Sequence, residues 1–194
     1  MKVVLATTSK FKSEILNKVG IKHSMIENDF NEDLVEKENV YEYVKKLSLG
    51  KAKSVSDKIK EGIVIGLDTI VYVDGIILEK PKDLNDARKA IDMCKNNTTE
   101  VITGICIINK ATNEIINDYV ISKVTLRNID NVDIDYYFEN EKDYMYASGF
   151  IIETIMSNFI EKIEGSYYNI LGIPVETIYK YINNMGYNLK DLEE

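Results

Sequence analysis

The feature that most constrains the fold is an alternation of short apolar segments with strand character and longer segments whose apolar residues recur at helical spacing. The strand-like segments are residues 3–6, 63–67, 70–73, 101–108, 115–126 and 159–163, and the helix-like segments are residues 11–19, 40–59, 84–95, 132–139 and those after Pro174. No internal repeat or Pro/Ser-rich linker interrupts this alternation. We therefore expect one α/β domain over residues 1–194.

Short local signals mark the ends of these elements. Gly20 and Gly62 are expected to end the first two helices, and Asp83 is placed to cap the third. The Asp74-Gly75 pair predicts a tight turn and therefore a β-hairpin.

The chain is acidic, with 32 Asp and Glu residues against 24 Lys and Arg residues and a formal net charge of −8. This balance opposes non-specific binding to a nucleic-acid polymer or to an anionic membrane, which depends on dense fields of basic side chains. An anionic ligand must therefore be bound by local groups. Because Arg88 and Arg127 are the only arginines, lysines are expected to supply most of the positive charge at such a site.

Cysteine and histidine usage argues against several chemistries. Cys94 and Cys106 stand apart with no CxxC pairing, and His23 is the single histidine, which disfavours thiol, zinc and histidine-triad catalysis. The sequence shows neither the apolar stretch of a signal peptide nor a run of about 18 apolar residues that could span a membrane. We expect a cytoplasmic protein with reduced thiols and no membrane partner.

A hydroxyl-rich turn joins the first predicted strand to the first helix. Thr7 and Ser9 lie in this turn and Lys12 follows it, so hydroxyls, backbone N–H groups and an ammonium group can converge on a phosphate. The alternative interpretation is an N-cap formed by Thr8 or Ser9, with solvated lysines. The turn contains neither a P-loop nor a dinucleotide-binding motif.

Two carboxylates are candidates for metal binding or general-base chemistry. Asp68 follows an apolar strand and a glycine, a position where α/β proteins commonly assemble their sites. Glu32 lies in an acidic loop and can supply a second ligand for a hard divalent cation. The alternatives are a turn aspartate and a solvated acidic loop.

Two lysines are further candidates for phosphate binding. Lys51 lies within the second predicted helix, and Lys80 precedes Pro81 just after a strand. Each can hold a phosphate oxygen as a point charge, and each can equally be an ordinary surface lysine.

Short motifs spread over nearly the whole chain resemble those of the Maf family of nucleoside triphosphate pyrophosphatases. They are Leu5-Ala6-Thr7-Thr8-Ser9, Glu14-Ile15-Leu16, Lys51-Ala52, Ile65-Gly66-Leu67-Asp68-Thr69, Asp74-Gly75, Lys80-Pro81, Val101-Ile102-Thr103-Gly104, residues 147–153, residues 165–168 and Gly172-Ile173-Pro174. Each motif is short, but their order and spacing together are specific.

The resemblance implies an α/β fold with a mixed twisted sheet flanked by helices, two lobes with a central cleft, and a homodimer. It also implies hydrolysis between the α- and β-phosphates of a nucleotide with a divalent metal, Mg²⁺ or Mn²⁺. By position, Asp68 corresponds to the catalytic or metal-binding aspartate and Glu32 to its partner carboxylate. The positions that surround the triphosphate are Thr7, Ser9, Lys12, Lys51 and Lys80.

Departures from the family pattern bear on the base and on the activity. Where the family turn commonly reads Ser-Pro-Arg-Arg, this chain reads Ser9-Lys10-Phe11-Lys12, so both guanidinium groups are absent. Glu153 replaces a glutamine typical of dTTP/UTP-type members; its carboxylate can accept both N–H donors of guanine. Phe11 agrees with a 7-methylguanine base, whereas Thr69 is typical of dTTP/UTP-type members.

Two functions therefore stand as hypotheses. The first is a metal-dependent nucleoside triphosphate pyrophosphatase that removes non-standard or surplus nucleotides, with a base of the 7-methylguanine or the dTTP/UTP type. The second is a non-catalytic nucleotide-binding regulator of cell division or septum formation, motivated by the missing arginines and by the altered sequence of the loop at residues 145–154.

Overall fold

A computed structural model of the protein describes residues 1–37, 39–148 and 150–193. The strands are β1 (Val3–Leu5), β2 (Ser24–Met25), β3 (Ile63–Val73), β4 (Ile76–Leu78), β5 (Thr98–Asn109), β6 (Glu114–Leu126) and β7 (Ile160–Glu164). The helices are α1 (Lys10–Lys18), α2 (Val40–Ser56), α3 (Leu84–Cys94), α4 (Asn131–Asn140), α5 (Tyr167–Ile170) and α6 (Val175–Asn184). Gly149, which belongs to one of the family-like motifs, lies outside the described residues.

The strands form one mixed sheet, which confirms the predicted α/β class. Their hydrogen-bonded order is β2-β1-β3-β5-β6-β7, and β4 pairs with β3. β1 is parallel to both β2 and β3, with Val4 opposite Val64, whereas β4 is antiparallel to β3 and β7 is antiparallel to β6. Among the described residues, no helix has both the length and the apolar character needed to cross a membrane.

The chain divides into two compact units. The first contains residues 1–69, 102–120 and those from Ser166 onward, and the second contains residues 70–101 and 121–165. The long strands β3, β5 and β6 each contribute residues to both units. The expectation of a single domain stays a prediction.

In the first unit, both faces of the sheet are covered. Odd-numbered strand residues such as Leu5, Ile65 and Ile105 pack with apolar residues of α1 and α6. Even-numbered residues such as Val4 and Val64 pack with apolar residues of α2. Because successive strand residues point to opposite faces, strands covered on both sides read as the nearly continuous apolar runs seen in the sequence.

Helix α2 lies unusually close to the sheet at two glycines. A Cβ atom added to Gly66 of β3 would lie 2.8 Å from the Cβ atom of Ala52 and closer still to the carbonyl oxygen of Ser48. A Cβ added to Gly104 of β5 would lie 3.0 Å from the backbone nitrogen of Lys45. These two positions exclude a side chain because the backbone of α2 occupies the space that it would need.

The second unit begins at the predicted hairpin. Asp74 and Gly75 have φ angles of 49° and 82°, as the two central residues of a type I′ turn require, and Val73 pairs with Ile76. The Asp83 side chain accepts a hydrogen bond from the backbone N–H of Asp86 at 2.9 Å, which confirms it as the N-cap of α3.

The cysteines contribute to packing. Cys94 and Cys106 are free thiols with no exposed surface. Burial raises the pKa of Cys94 to about 11 and that of Cys106 to about 12. A thiol that resists ionisation is a poor nucleophile, which agrees with the expectation that these cysteines carry no thiol chemistry.

The close approach of α2 generates the first prediction. Gly66→Ala and Gly104→Ala should each lower the free energy of unfolding by about 3 kcal/mol, because the added methyl group meets backbone atoms that cannot rotate away. Urea denaturation measures this effect.

Gly50→Ala is the matched control. The three atoms nearest to a Cβ at Gly50 of α2 all belong to the ring of Phe30, a side chain that can move, so this change should alter stability by less than about 1 kcal/mol. Equal losses in all three variants would contradict the backbone explanation.

Candidate active site

Asp68 lies in the middle of β3, an 11-residue strand, rather than at its end. The expectation that the strand ends at Asp68 is therefore wrong, because the chain stays extended as far as the Asp74-Gly75 turn. Asp68 is two residues beyond Gly66, and side chains two residues apart in a strand share a face. Asp68 consequently faces α2. Gly66 contacts Ala52 of that helix, and Lys51 is the residue before Ala52.

Lys51 joins the two predicted carboxylates. Its Nζ atom lies 2.5 Å from Oδ1 of Asp68 and 2.8 Å from Oε1 of Glu32. The side chains of Lys51 and Asp68 are each only 13% exposed, whereas that of Glu32 is 49% exposed. The structure thus brings together three of the residues that the sequence singled out, with the ammonium group between the two acids.

Burial and charge act in opposite directions on this group. Burial raises the pKa of Asp68, although the ammonium groups of Lys51 and Lys12 lower it in part. Burial by itself lowers the pKa of Lys51, but Asp68 and Glu32 more than offset this and the pKa of Lys51 is raised. Lys51 therefore remains a cation, and Asp68 holds a proton more firmly than an ordinary aspartate, as suits a general base.

Lys12 also belongs to the first unit, and its charge acts on Asp68. It is in α1, and its Cε atom is 3.4 Å from the position that a Cβ on Gly172 would take. The same glycine is close to Thr69, whose hydroxyl donates a 3.4 Å hydrogen bond to the Gly172 carbonyl and lies 3.0 Å from the hydroxyl of Thr103. These hydroxyls fix the backbone directly after Asp68.

The hydroxyl-rich turn has the local structure of a helix cap. The Ser9 side chain accepts a hydrogen bond from the backbone N–H of Lys12 at 3.4 Å, and the Thr7 side chain accepts one from the N–H of Ser9 at 3.1 Å. Ser9 is thus the N-cap of α1, as the alternative interpretation expected. Each hydroxyl keeps its own proton for donation, so phosphate binding by Thr7 and Ser9 stays a prediction. Phe11 is 48% exposed.

Lys80 and Glu153 belong to the second unit. Lys80 is exposed two residues after β4. Glu153 is exposed as well, and partial desolvation raises the pKa of its carboxyl group. Their roles in phosphate and base binding stay predictions.

The donor set suits a metal that arrives with a phosphate ligand. In the part of the chain that the structure describes, no three His, Cys, Asp or Glu side chains converge as a complete metal site. Asp68 and Glu32, however, both point at one atom, Nζ of Lys51. Magnesium in proteins is commonly held by one or two carboxylates, with substrate phosphates and water completing its shell, so these two residues fit that mode.

Sequence reasoning missed two residues beside this group. Phe30 precedes Glu32 by two residues, and its ring lies over Gly50 of α2, the neighbour of Lys51. The available signal was a glycine within a helix, which is unfavourable unless something needs the space.

The fold and this cluster define an α/β protein with a largely buried lysine between two acids on one face of its sheet. The model of the family described as "Maf-like protein" matches residues 2–185. The chain belongs to this family.

Similar proteins cover nearly the whole chain. One from Clostridium perfringens (strain SM101 / Type A) is 35% identical over 95% of this chain and 97% of its own length. Another from Clostridium novyi (strain NT) is 36% identical over 97% and 100%, respectively, and one from Clostridioides difficile (strain 630) is 33% identical over 92% of each chain. All three relatives are named dTTP/UTP pyrophosphatase.

The pairing of Lys51 generates the second prediction. Lys51→Met should lower the free energy of unfolding by about 3 kcal/mol at neutral pH, because Asp68 would keep a largely buried charge without its closest partner. The loss should shrink as the pH falls from about 7 to about 4, since the variant raises the pKa of Asp68 further and a protonated carboxyl needs no cation. Urea unfolding across this range measures the effect.

Lys46→Met, at an exposed position of the same helix, is the control and should change stability little at any pH. A loss in Lys51→Met that stays constant with pH would argue against the pairing.

Proposed function

We propose that the protein hydrolyses nucleoside triphosphates to a nucleoside monophosphate and pyrophosphate, with Asp68 as the general base. The observation that carries this proposal is the largely buried Lys51 ammonium group between Asp68 and Glu32. Membership of the Maf-like family and the names of the relatives support it.

Asp68 takes a proton from the attacking water. The water oxygen forms a bond to a phosphorus atom next to the oxygen that bridges the α- and β-phosphates. The bond from that phosphorus to the bridging oxygen breaks, and its electron pair stays on the bridging oxygen. The raised pKa of Asp68 favours this proton transfer, because a carboxylate of higher pKa is a stronger base.

Lys51 and Lys12 are proposed to lie beside phosphate oxygens as point charges. Their two positive charges are balanced by Asp68 and Glu32, so the bound triphosphate needs additional cations. Asp68 and Glu32 would hold a divalent cation, Mg²⁺ or Mn²⁺, which when bound supplies charge to stabilise the transferring phosphoryl group. Thr7, Ser9 and Lys80 are proposed as further phosphate ligands.

We propose a pyrimidine base of the dTTP/UTP type. The names of the relatives and Thr69 support this choice. An ionised Glu153 offers no donor to a uracil carbonyl, so this residue argues against the choice. A guanine-type base, including 7-methylguanine, remains the alternative that Glu153 and Phe11 motivate.

The expected homodimer and cytoplasmic location stay predictions.

A substrate panel with an Asp68 variant tests the activity. Wild-type protein with Mg²⁺ or Mn²⁺ should release pyrophosphate from dTTP and UTP, and Asp68→Asn should lower kcat by about 100-fold or more because it removes the proton acceptor. Pyrophosphate release measures both. Asp57→Asn, an exposed aspartate just after α2, is the control.

Nucleotide-induced thermal stabilisation without turnover would instead support the non-catalytic regulator. Equal rates for Asp68→Asn and wild type would exclude Asp68 as the base.

The base preference generates a separate prediction. Glu153→Gln should lower kcat/KM for GTP and 7-methyl-GTP relative to dTTP and UTP by about 5- to 100-fold, since a glutamine cannot accept both N–H donors of guanine. Glu161→Gln, an exposed position of β7, should leave this ratio unchanged. An unchanged ratio in Glu153→Gln would rule out the readout.

A further inference from the structure

Glu32 is far more exposed than the other two charged residues of the site, so burial does little to fix its position. Its side chain is 49% exposed, in contrast to 13% for both Lys51 and Asp68. It begins a single 3₁₀ turn, Glu32–Leu34, rather than lying on a strand or a long helix. A half-exposed carboxylate on so short an element needs other contacts to keep it beside Lys51.

Phe30 supplies such a contact two residues before Glu32. A Cβ atom at Gly50 would lie 2.5 Å from Cε1 of the Phe30 ring and closer still to Cε2 and Cζ. The ring therefore rests directly on the backbone of α2 at Gly50. Because Gly50 precedes Lys51, this contact joins the segment carrying Glu32 to α2 immediately beside the lysine that Glu32 binds.

Polar contacts attach the rest of the segment before Glu32. The Asn28 side-chain amide donates to the Ala6 carbonyl oxygen at 3.2 Å. Lys58, just beyond α2, donates to the Glu27 carbonyl oxygen at 3.3 Å and lies 3.1 Å from Asp29. Residues 27–32 thus form a strap that is fixed to Ala6, directly after β1, and also to α2 at Gly50 and to Lys58 just beyond that helix.

Gly50 is unfavourable for the helix that contains it. Glycine in a helix interior costs about 0.5–1 kcal/mol relative to alanine, and the open space over Gly50 is filled by the Phe30 ring. The contact with Phe30, rather than the stability of the helix, thus explains why position 50 is a glycine.

We infer that Phe30 and Gly50 are positioning residues, which dock the strap on α2 and thereby hold Glu32 against Lys51. This inference rests on the proposed function for its catalytic consequence. Displacing the ring should move Glu32 and leave Asp68 on its strand and Lys51 on its helix, so we expect the effect on catalysis to pass through Glu32.

Gly50→Ala separates positioning from folding. It should keep thermal stability close to that of the wild type and lower kcat/KM by about 10- to 100-fold, as expected for a displaced catalytic group. The Mg²⁺ concentration for half-maximal rate should rise. Phe30→Ala should have the same effects on kcat/KM and on the Mg²⁺ concentration. Tyr41→Ala is the control and should leave kcat/KM unchanged. Tyr41 lies at the other end of α2 from Lys58, and its ring stacks on Tyr119 of β6.

Double variants test the route of the effect. Gly50→Ala should cost nothing further in a Phe30→Ala background, where the ring is gone, or in a Glu32→Gln background, where the positioned group is gone. A loss that multiplies in full with Glu32→Gln would overturn the inference.

Hydrogen exchange distinguishes failure of the inference from failure of the proposed function. In the wild type, the backbone N–H groups of Asp33 and Val35 donate to the side chain of Asn31 and the carbonyl of Glu32. Gly50→Ala and Phe30→Ala should speed exchange in residues 27–35, and Tyr41→Ala should not. Unchanged exchange overturns the inference, whereas faster exchange in a protein that hydrolyses no nucleotide supports the docking contact and refutes the proposed function.

Discussion

The ammonium group of Lys51 between Asp68 and Glu32 is the interaction on which the site depends. Removing a charged lysine or aspartate from water costs free energy unless the charge is paired. Lys51 and Asp68 therefore each offset the cost of burying the other. Their 2.5 Å separation requires α2 to lie close against β3. Gly66 and Gly104 make that approach possible, because the helix backbone occupies the space of their absent side chains.

The three charged residues differ in how firmly the fold fixes them. Asp68 lies on a long strand of a sheet that is covered on both faces, and Lys51 lies on the helix packed against it. Glu32 lies on a short 3₁₀ turn and is half exposed. Asp68 and Lys51 are therefore preorganised, whereas the position of Glu32 depends on the contact between Phe30 of the strap and Gly50.

Most of the fold could be predicted because its signals are local. The apolar run before Asp68, the helical spacing of α2 and the Asp74-Gly75 turn all appear where periodicity and turn chemistry place them. Helix α2 was expected to continue to residue 59 but ends at Ser56. The two-residue β2 and the four-residue α5 were missed, since so few residues show no periodicity.

The site could be predicted less completely. Asp68, Lys51 and Glu32 were found from residue type and family-like motifs, and the structure brings them together. The contact between Phe30 and Gly50 could not be found in this way, because twenty residues separate its partners and a glycine has no side chain to indicate a contact. Whether Thr7 or Ser9 binds phosphate is a question of ligand binding, which neither periodicity nor capping geometry answers.

The ammonium group itself offers the most direct measurement. In ¹⁵N-labelled protein, the Nζ resonance of Lys51 should show hydrogen exchange far slower than that of an exposed lysine such as Lys60, and it should shift in both Asp68→Asn and Glu32→Gln. Simultaneous hydrogen bonds to both carboxylates predict this result. A Lys51 signal that exchanges as fast as that of Lys60 and responds to neither substitution would contradict the account.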